Sequence, residues 1–251
     1  MKFLNYFNIQ TFLGLVISQI AAFLAIHFQI KFHMDLLLFS LCVVFPLHFS
    51  MQAAFKRRDK ALEFFSLFKG GSMALHYSFQ VAEDLPAEKK QEANDLLKGM
   101  VSQLIDQLEN RKAAYEPLQL KLNRIFSFIE MYRDEISKRN VLRMVRYLKD
   151  VTEGSVYLIS LVNHRTMGGL RFYSIFFIII FPLIQAPIVL YRLDSLIPTW
   201  GIYVFLALTS LILVTLRNFQ AMIEYPFDSR GMDNINLREF SLDIDARVGQ
   251  K

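Results

Sequence analysis

The chain has one cysteine in 251 residues. A single thiol excludes a disulfide scaffold and any metal site built on several cysteines. Glycine (10) and proline (7) are scarce, which excludes a collagen-like chain and argues against a turn-rich two-layer soluble enzyme. Acidic side chains are nearly missing from the long apolar runs, which speaks against a proton pump working through an intramembrane carboxylate. The five histidines, His27, His33, His48, His76 and His164, never pair at i+3 or i+4, and no HExxH, Gly-rich phosphate loop or GxSxG elbow occurs. No segment alternates apolar and polar residues over six positions, so no sheet is expected. Catalysis has no group to rest on: the chain is not expected to be an enzyme. No metal, cofactor or nucleic acid is expected as a partner.

What is present is apolar. The hydrophobic share is 53%, with 24 phenylalanines, against a usual ~45–50%. Four charge-free runs carry much of it: Thr11–Ile30, Leu36–Phe55, Phe172–Tyr191 and Ser195–Leu216. Each is about 20 residues, the length a helix needs to cross a ~30 Å hydrocarbon core. The first is read as a span and not as a cleaved signal peptide, because Lys2 alone precedes it and no small-x-small site follows. Between the second and third runs, residues 56–171 hold 20 Lys+Arg against 15 Asp+Glu, a local net charge of +5.

That central stretch has helical periodicity. Leu97, Met100, Val101, Leu104, Ile105 and Leu108 share one helix face; Leu122, Ile125, Phe126 and Ile129 do so next, then Val145, Leu148 and Val151. Helix packing is the plain reading of these stripes. Breaks are expected at Gly70-Gly71, Leu85-Pro86, Glu116-Pro117 and Gly168-Gly169. The fold class is therefore an all-α integral membrane protein. It comprises a transmembrane hairpin over 1–55 (spans about 11–30 and 36–55), a helical region over 56–171, a second hairpin over 172–216 and a tail over 217–251. Lys56, Arg57, Arg58 and Lys60 follow the second span at once, and Arg165 and Arg171 precede the third, whereas the outer hairpins carry few basic residues. Positive charge stays inside, so the central region and both termini are expected to be cytoplasmic, in a multi-pass protein of the cell membrane.

The second span is the informative one. Leu41, Phe45 and Phe49 stand at i, i+4 and i+8 and share a face; Pro46 interrupts the helix ladder and predicts a kink. The run passes without a gap into Phe55, Lys56, Arg57 and Arg58, a basic collar. Two readings stand: a hydrophobic constriction that gates by dewetting, or ordinary lipid-facing and packing residues beside a common membrane kink. Arg57, with its fixed fork of donors, is expected to tie its helix to neighbouring carbonyls or carboxylates and not to ligate an ion.

The stretch Phe49–Lys60, F-S-M-Q-A-A-F-K-R-R-D-K, resembles the bestrophin signature at the end of the pore helix, Phe-Arg-Asn-Asn-Ala-Ala-Tyr-Asp-Arg-Trp-Trp-Glu. Phe49, Ala53, Ala54 and Arg57 match, and Phe55 replaces Tyr. After the last span, Glu224-Tyr225-Pro226-Phe227-Asp228 and Asp233-Asn234-Ile235-Asn236-Leu237 are similar to the family's Glu-Asn-Pro-Phe-Gly and Asn-Asp-Leu-Pro-Leu. The chain departs from the pattern at Ser50, at Leu47-His48, at Arg58-Asp59-Lys60, and at Tyr225 and Asp228. The resemblance implies an anion channel of the chloride type, a homopentamer in the lipid bilayer whose pore is lined by the second span. Leu41, Phe45 and Phe49 would form its neck, and anions would be the permeant partners. Two other classes are weighed beside it: a non-conducting scaffold or assembly protein, and a transporter of small organic anions, for which no inverted repeat of the spans is visible.

The tail generates a negative expectation. Animal bestrophins take calcium through clustered acids just after Pro-Phe. A calcium site needs ~6–8 oxygen ligands, yet here Asp228 and Asp233 are separated by Arg230. Anion flux from liposomes is therefore expected to be the same with a calcium chelator and with micromolar free calcium. A several-fold calcium-dependent rise abolished by Asp228→Ala would refute this.

Overall fold

The computed structural model describes residues 8–111, 114–164, 168–193, 195–227 and 235–237. Every extended element among them is helical: α1 (Ile9–His27), α2 (Leu36–Val81), α3 (Ala87–Glu109), α4 (Glu116–Met131), α5 (Arg133–Ile136), α6 (Lys138–Asn163), α7 (Gly168–Leu193) and α8 (Thr199–Ile223). The described residues form two compact units. One takes residues 8–56 and the chain from α7 to Pro226; the other takes Arg57–His164, Phe227 and residues 235–237.

The first unit packs α1, α7 and α8 together. Three helices here are long and apolar enough to cross a membrane: Ile9–His27, Ile175–Leu193 and Thr199–Ile223. Their shared core is built of small residues, Ala21, Ala22 and Ala25 of α1 with Ala186 of α7, closed by Val189, Leu190, Ile202 and Leu206. Small side chains let apolar helices approach where lipid supplies no hydrophobic drive. At Gly14 the approach is closest: a Cβ there would lie 2.6 Å from Val214 Cγ2, and Ser210 Oγ donates to the Gly14 carbonyl at 2.9 Å. The charge-free run 36–55 forms the first part of the 46-residue α2.

The second unit has the core of a water-soluble bundle. Phe65, Phe68, Leu75 and Phe79 of α2 are fully buried, as are Leu97, Met100, Leu104 and Leu108 of α3 and Ile125 and Ile129 of α4. Most of the expected stripes point inward, but Phe126 and Val145 are exposed, and Phe128 and Met144 take the buried places. A stripe read from a linear period drifts when a helix must face two neighbours at once. Pro86 and Pro117 stand at the starts of α3 and α4, where a missing N–H costs nothing. Gly168 likewise opens α7.

Gly70-Gly71 is a correction. No break occurs there; α2 runs through both. Gly71 is buried, and a Cβ on it would lie 2.8 Å from Val151 Cγ2 and 3.0 Å from the Tyr147 carbonyl oxygen. Gly154 of α6 answers it: its Cβ would lie 2.8 Å from the Phe64 carbonyl oxygen. The two glycines let α2 and α6 touch backbone to side chain, so the glycine records a neighbour's approach and not a turn.

Gly154→Ala is therefore expected to destabilise the protein by ~1–3 kcal/mol through overpacking. Gly70→Ala, with nothing within 4 Å of its Cβ, is expected to be neutral or to stabilise by up to ~1 kcal/mol. Thermal unfolding of the two purified variants checks the opposite signs.

Candidate functional site: the charge-free half of α2

The buried and exposed residues of α2 separate by face. Val43, Leu47, Ser50 and Ala54 are buried at spacings of four, three and four, one side of a helix. Val43 packs on Phe181 of α7, with Phe177, Ile184 and Leu213 around them. On the other side stand Leu41, Phe45 and Phe49, 39%, 53% and 60% exposed. Their own chain leaves this face uncovered. The Phe45 and Phe49 rings stack with centroids 6.4 Å apart and planes 20° from parallel. Beside them, the His48 ring and the Gln52 amide lie within hydrogen-bond distance, 3.1 Å.

Pro46 lies inside α2. It has no N–H to give the carbonyl of Cys42, four residues earlier. The Tyr173 hydroxyl of α7 donates to that carbonyl instead, at 3.2 Å. A freed carbonyl in an apolar surrounding costs free energy until it is satisfied, and a neighbouring helix does this here. Nothing in the sequence around Tyr173 announces this partner; only its level on the adjacent helix does.

The departure at Ser50 falls on the buried face. Its hydroxyl oxygen accepts from Gln220 Nε2 of α8, and both side chains are almost fully enclosed. A second polar knot joins the same end of α8 to α1: Asn218 Nδ2 donates to Thr11 Oγ1 at 3.0 Å and Asn8 Oδ1 at 3.2 Å, and Arg217 donates to Gln10 Oε1. Sequence reasoning missed these contacts. The available signal was the cluster of amides and hydroxyls at the start of the first run and the end of the last, where polar groups in apolar helices seek one another.

The collar divides between the two units, and each part is described within its own. Phe55 is exposed, with its ring edge on Phe219, centroids 6.4 Å apart; Lys56 is exposed beside it. In the other unit, Arg57 donates from both terminal nitrogens, to the carbonyl oxygens of Leu161 and His164. These carbonyls belong to the last turn and cap of α6, the acceptors a helix end leaves over. Arg58 lies 4.0 Å from Asp59, and Lys60 reaches Glu63 at 2.7 Å. The hydrogen bond to Glu63, helped by its charge, holds the Lys60 ammonium above its ordinary pKa; the pair lies at the surface and adds little to stability.

Of the residues after the last span, Glu224, Tyr225 and Pro226 are buried in the first unit. Phe227 is buried in the second, its ring edge on Phe65 at 5.8 Å. Asp228 and Asp233 lie outside the described residues. Among the described residues no three His, Cys, Asp or Glu side chains come together as a metal site would require.

No protein-family model matches the chain, and no curated protein matches its sequence. Solved structures do match. A point mutant of a bacterial bestrophin homologue from Klebsiella pneumoniae superposes with a TM-score of 0.71 at 16% identity, over 95% of this chain and 98% of that one. A second mutant of that homologue gives 0.71 at 16%, over 94% and 95%. A structure described as a membrane protein gives 0.73 at 14%, over 94% and 95%. The chain has the bestrophin fold. With its long apolar helices, this bestrophin-like chain is a multi-pass membrane protein.

The Pro46–Tyr173 compensation has a measurable signature. Tyr173→Phe is expected to cost ~0.5–1.5 kcal/mol, the net worth of one hydrogen bond. Pro46→Ala restores an N–H for the Cys42 carbonyl, and in that background Tyr173→Phe should cost markedly less. A double-mutant cycle on detergent-solubilised protein reads the coupling; equal costs in both backgrounds would show the two residues to be independent.

Proposed function

We propose that the chain is a divergent bestrophin and that a ring of its copies, five as in the family it resembles, conducts anions of the chloride type passively. In this reading the charge-free half of α2 also crosses the membrane, as the second of four spans in chain order, and lines the central pore. The observation that carries it is the two-faced character of that half-helix. Val43, Leu47, Ser50 and Ala54 are spent on the chain's own interior, while Leu41, Phe45 and Phe49 form a continuous uncovered apolar face. Symmetric copies turn such a face into stacked rings around an axis. A hydrophobic constriction of that kind controls passage by wetting and dewetting, and the positive edges of phenyl rings favour anions over cations.

The bestrophin-like fold over nearly the whole chain and the register of Phe49, Ala53, Ala54 and Arg57 support this placement. Residues 56–171 and both termini then face the cytoplasm, in keeping with the positive charge that follows α2. The net basic character of that region raises the local anion concentration at the pore mouth. Arg57 serves as an anchor at the end of α6.

The neck is tested by replacing Leu41, Phe45 and Phe49 together with alanine. The variant ring loses ten phenyl groups if it holds five chains, and anion flux from reconstituted liposomes is expected to rise several-fold over the parent. Flux unchanged by the triple substitution refutes the neck. A purified particle without ring symmetry, or one that passes no anion in either form, refutes the channel and leaves the scaffold reading in its place.

A further inference from the structure

The uncovered face of α2 is not apolar throughout. The buried residues Val43, Leu47, Ser50 and Ala54 repeat at four, three and four. Leu41, Phe45, His48 and Gln52 repeat at the same spacings, displaced by two residues, which is ~200° round a helix. All four are exposed, so His48 and Gln52 belong to the strip opposite the chain's own interior, as Phe45 does. The His48 ring sits against the stacked phenyls, its centroid 6.0 Å from that of Phe49 and the planes 61° apart. His48 Nε2 and Gln52 Nε2 lie 3.1 Å apart. An amide nitrogen only donates, so His48 Nε2 accepts here and the imidazole proton sits on Nδ1. An N–H is then left over on each side chain. Turning the amide over reverses the roles and leaves both amide N–H groups over instead. In either arrangement the pair presents donors, and the run 36–55 holds no acidic residue to take them.

A histidine and an amide inside an apolar run are costly against lipid; such residues face the interior of a bundle or a water-filled space. The chain's own interior is already occupied by the opposite strip. We propose that, in the ring of copies, His48 and Gln52 form a belt of N–H donors beside the phenyl rings. The belt hydrogen-bonds small inorganic anions as they shed water, and it sets the preference among them. This rests on the channel reading above. A constriction of phenyl groups alone favours anions that lose water easily, such as thiocyanate, over the more strongly hydrated chloride. Donors held by the protein replace part of the lost hydration shell and narrow that advantage. His48 and Gln52 are thus specificity-determining residues, and Leu41, Phe45 and Phe49 supply the apolar wall.

The test measures chloride and thiocyanate flux from liposomes holding the full chain. The ratio of the two within one preparation does not depend on how much protein it contains. His48→Leu and Gln52→Leu are each expected to raise the thiocyanate-to-chloride ratio roughly tenfold, the scale of one lost hydrogen bond to a charged group. His48→Gln, which keeps an N–H donor at that level, should hold the ratio near that of wild type. Gln52→Cys in a Cys42→Ala background, which removes the one native thiol, should react with a membrane-impermeant thiol reagent and lose flux. Ratios unchanged in both leucine variants of a conducting protein, or no reaction of the Gln52→Cys variant, overturn the proposal and leave the channel standing. Wild type that passes neither anion overturns the channel reading, and this inference with it. Should one leucine variant fail to assemble, the other and the thiol reaction still decide.

Discussion

In hydrocarbon an unpaired backbone carbonyl has no water to turn to, and this constraint organises the first unit. Continuous helices meet it for most residues. Where Pro46 breaks the ladder, the Tyr173 hydroxyl supplies the missing donor to Cys42. Hydroxyls elsewhere fold back on their own helices, as Ser18 does to Leu15 and Thr215 to Leu211. Polar side chains that face between helices are paired across them: Ser210 with the Gly14 carbonyl, Gln220 with Ser50, Asn218 with Thr11. Each of these bonds needs close backbones, and close backbones need small residues. The alanines of α1 and α7 and Gly14 follow from the same requirement.

The second unit is packed differently. Its interior is rich in phenylalanine, leucine, isoleucine, valine and methionine, the burial of large apolar area that water favours. Glycine enters it at one helix crossing, where Gly71 and Gly154 let α2 and α6 approach. The same residue type thus serves both units, once to bring membrane helices together and once to admit a crossing within an otherwise bulky core.

The long helix α2 contributes to both units, and its sequence changes in character at Lys56. Before that point its outward face carries phenylalanine and leucine; beyond it, exposed positions turn to charge, as at Asp59, Lys60 and Glu63. Charged side chains bridge locally, Lys60 to Glu63 and Arg57 to the end of α6. The functional proposal rests on the uncovered stretch before the change, because there the chain spends exposed aromatic surface that its own core does not use.

By itself the sequence determined the helical class, the placement of the apolar runs, the helix starts at Pro86 and Pro117, and the register that puts Leu41, Phe45 and Phe49 on one face. These follow from period and composition, which are properties of a segment taken alone. The tertiary structure decided which face of each segment is spent on the interior. It turned Gly70-Gly71 from an expected break into the middle of a helix, and it exposed Phe126 and Val145 in favour of Phe128 and Met144. It also gave Arg57 the carbonyls of Leu161 and His164, and Cys42 the hydroxyl of Tyr173. The reason is common to all of these. A backbone carbonyl is the same acceptor at every position, and a glycine is blank, so neither shows in the sequence which neighbour it will meet; only the approach of a second helix makes that choice.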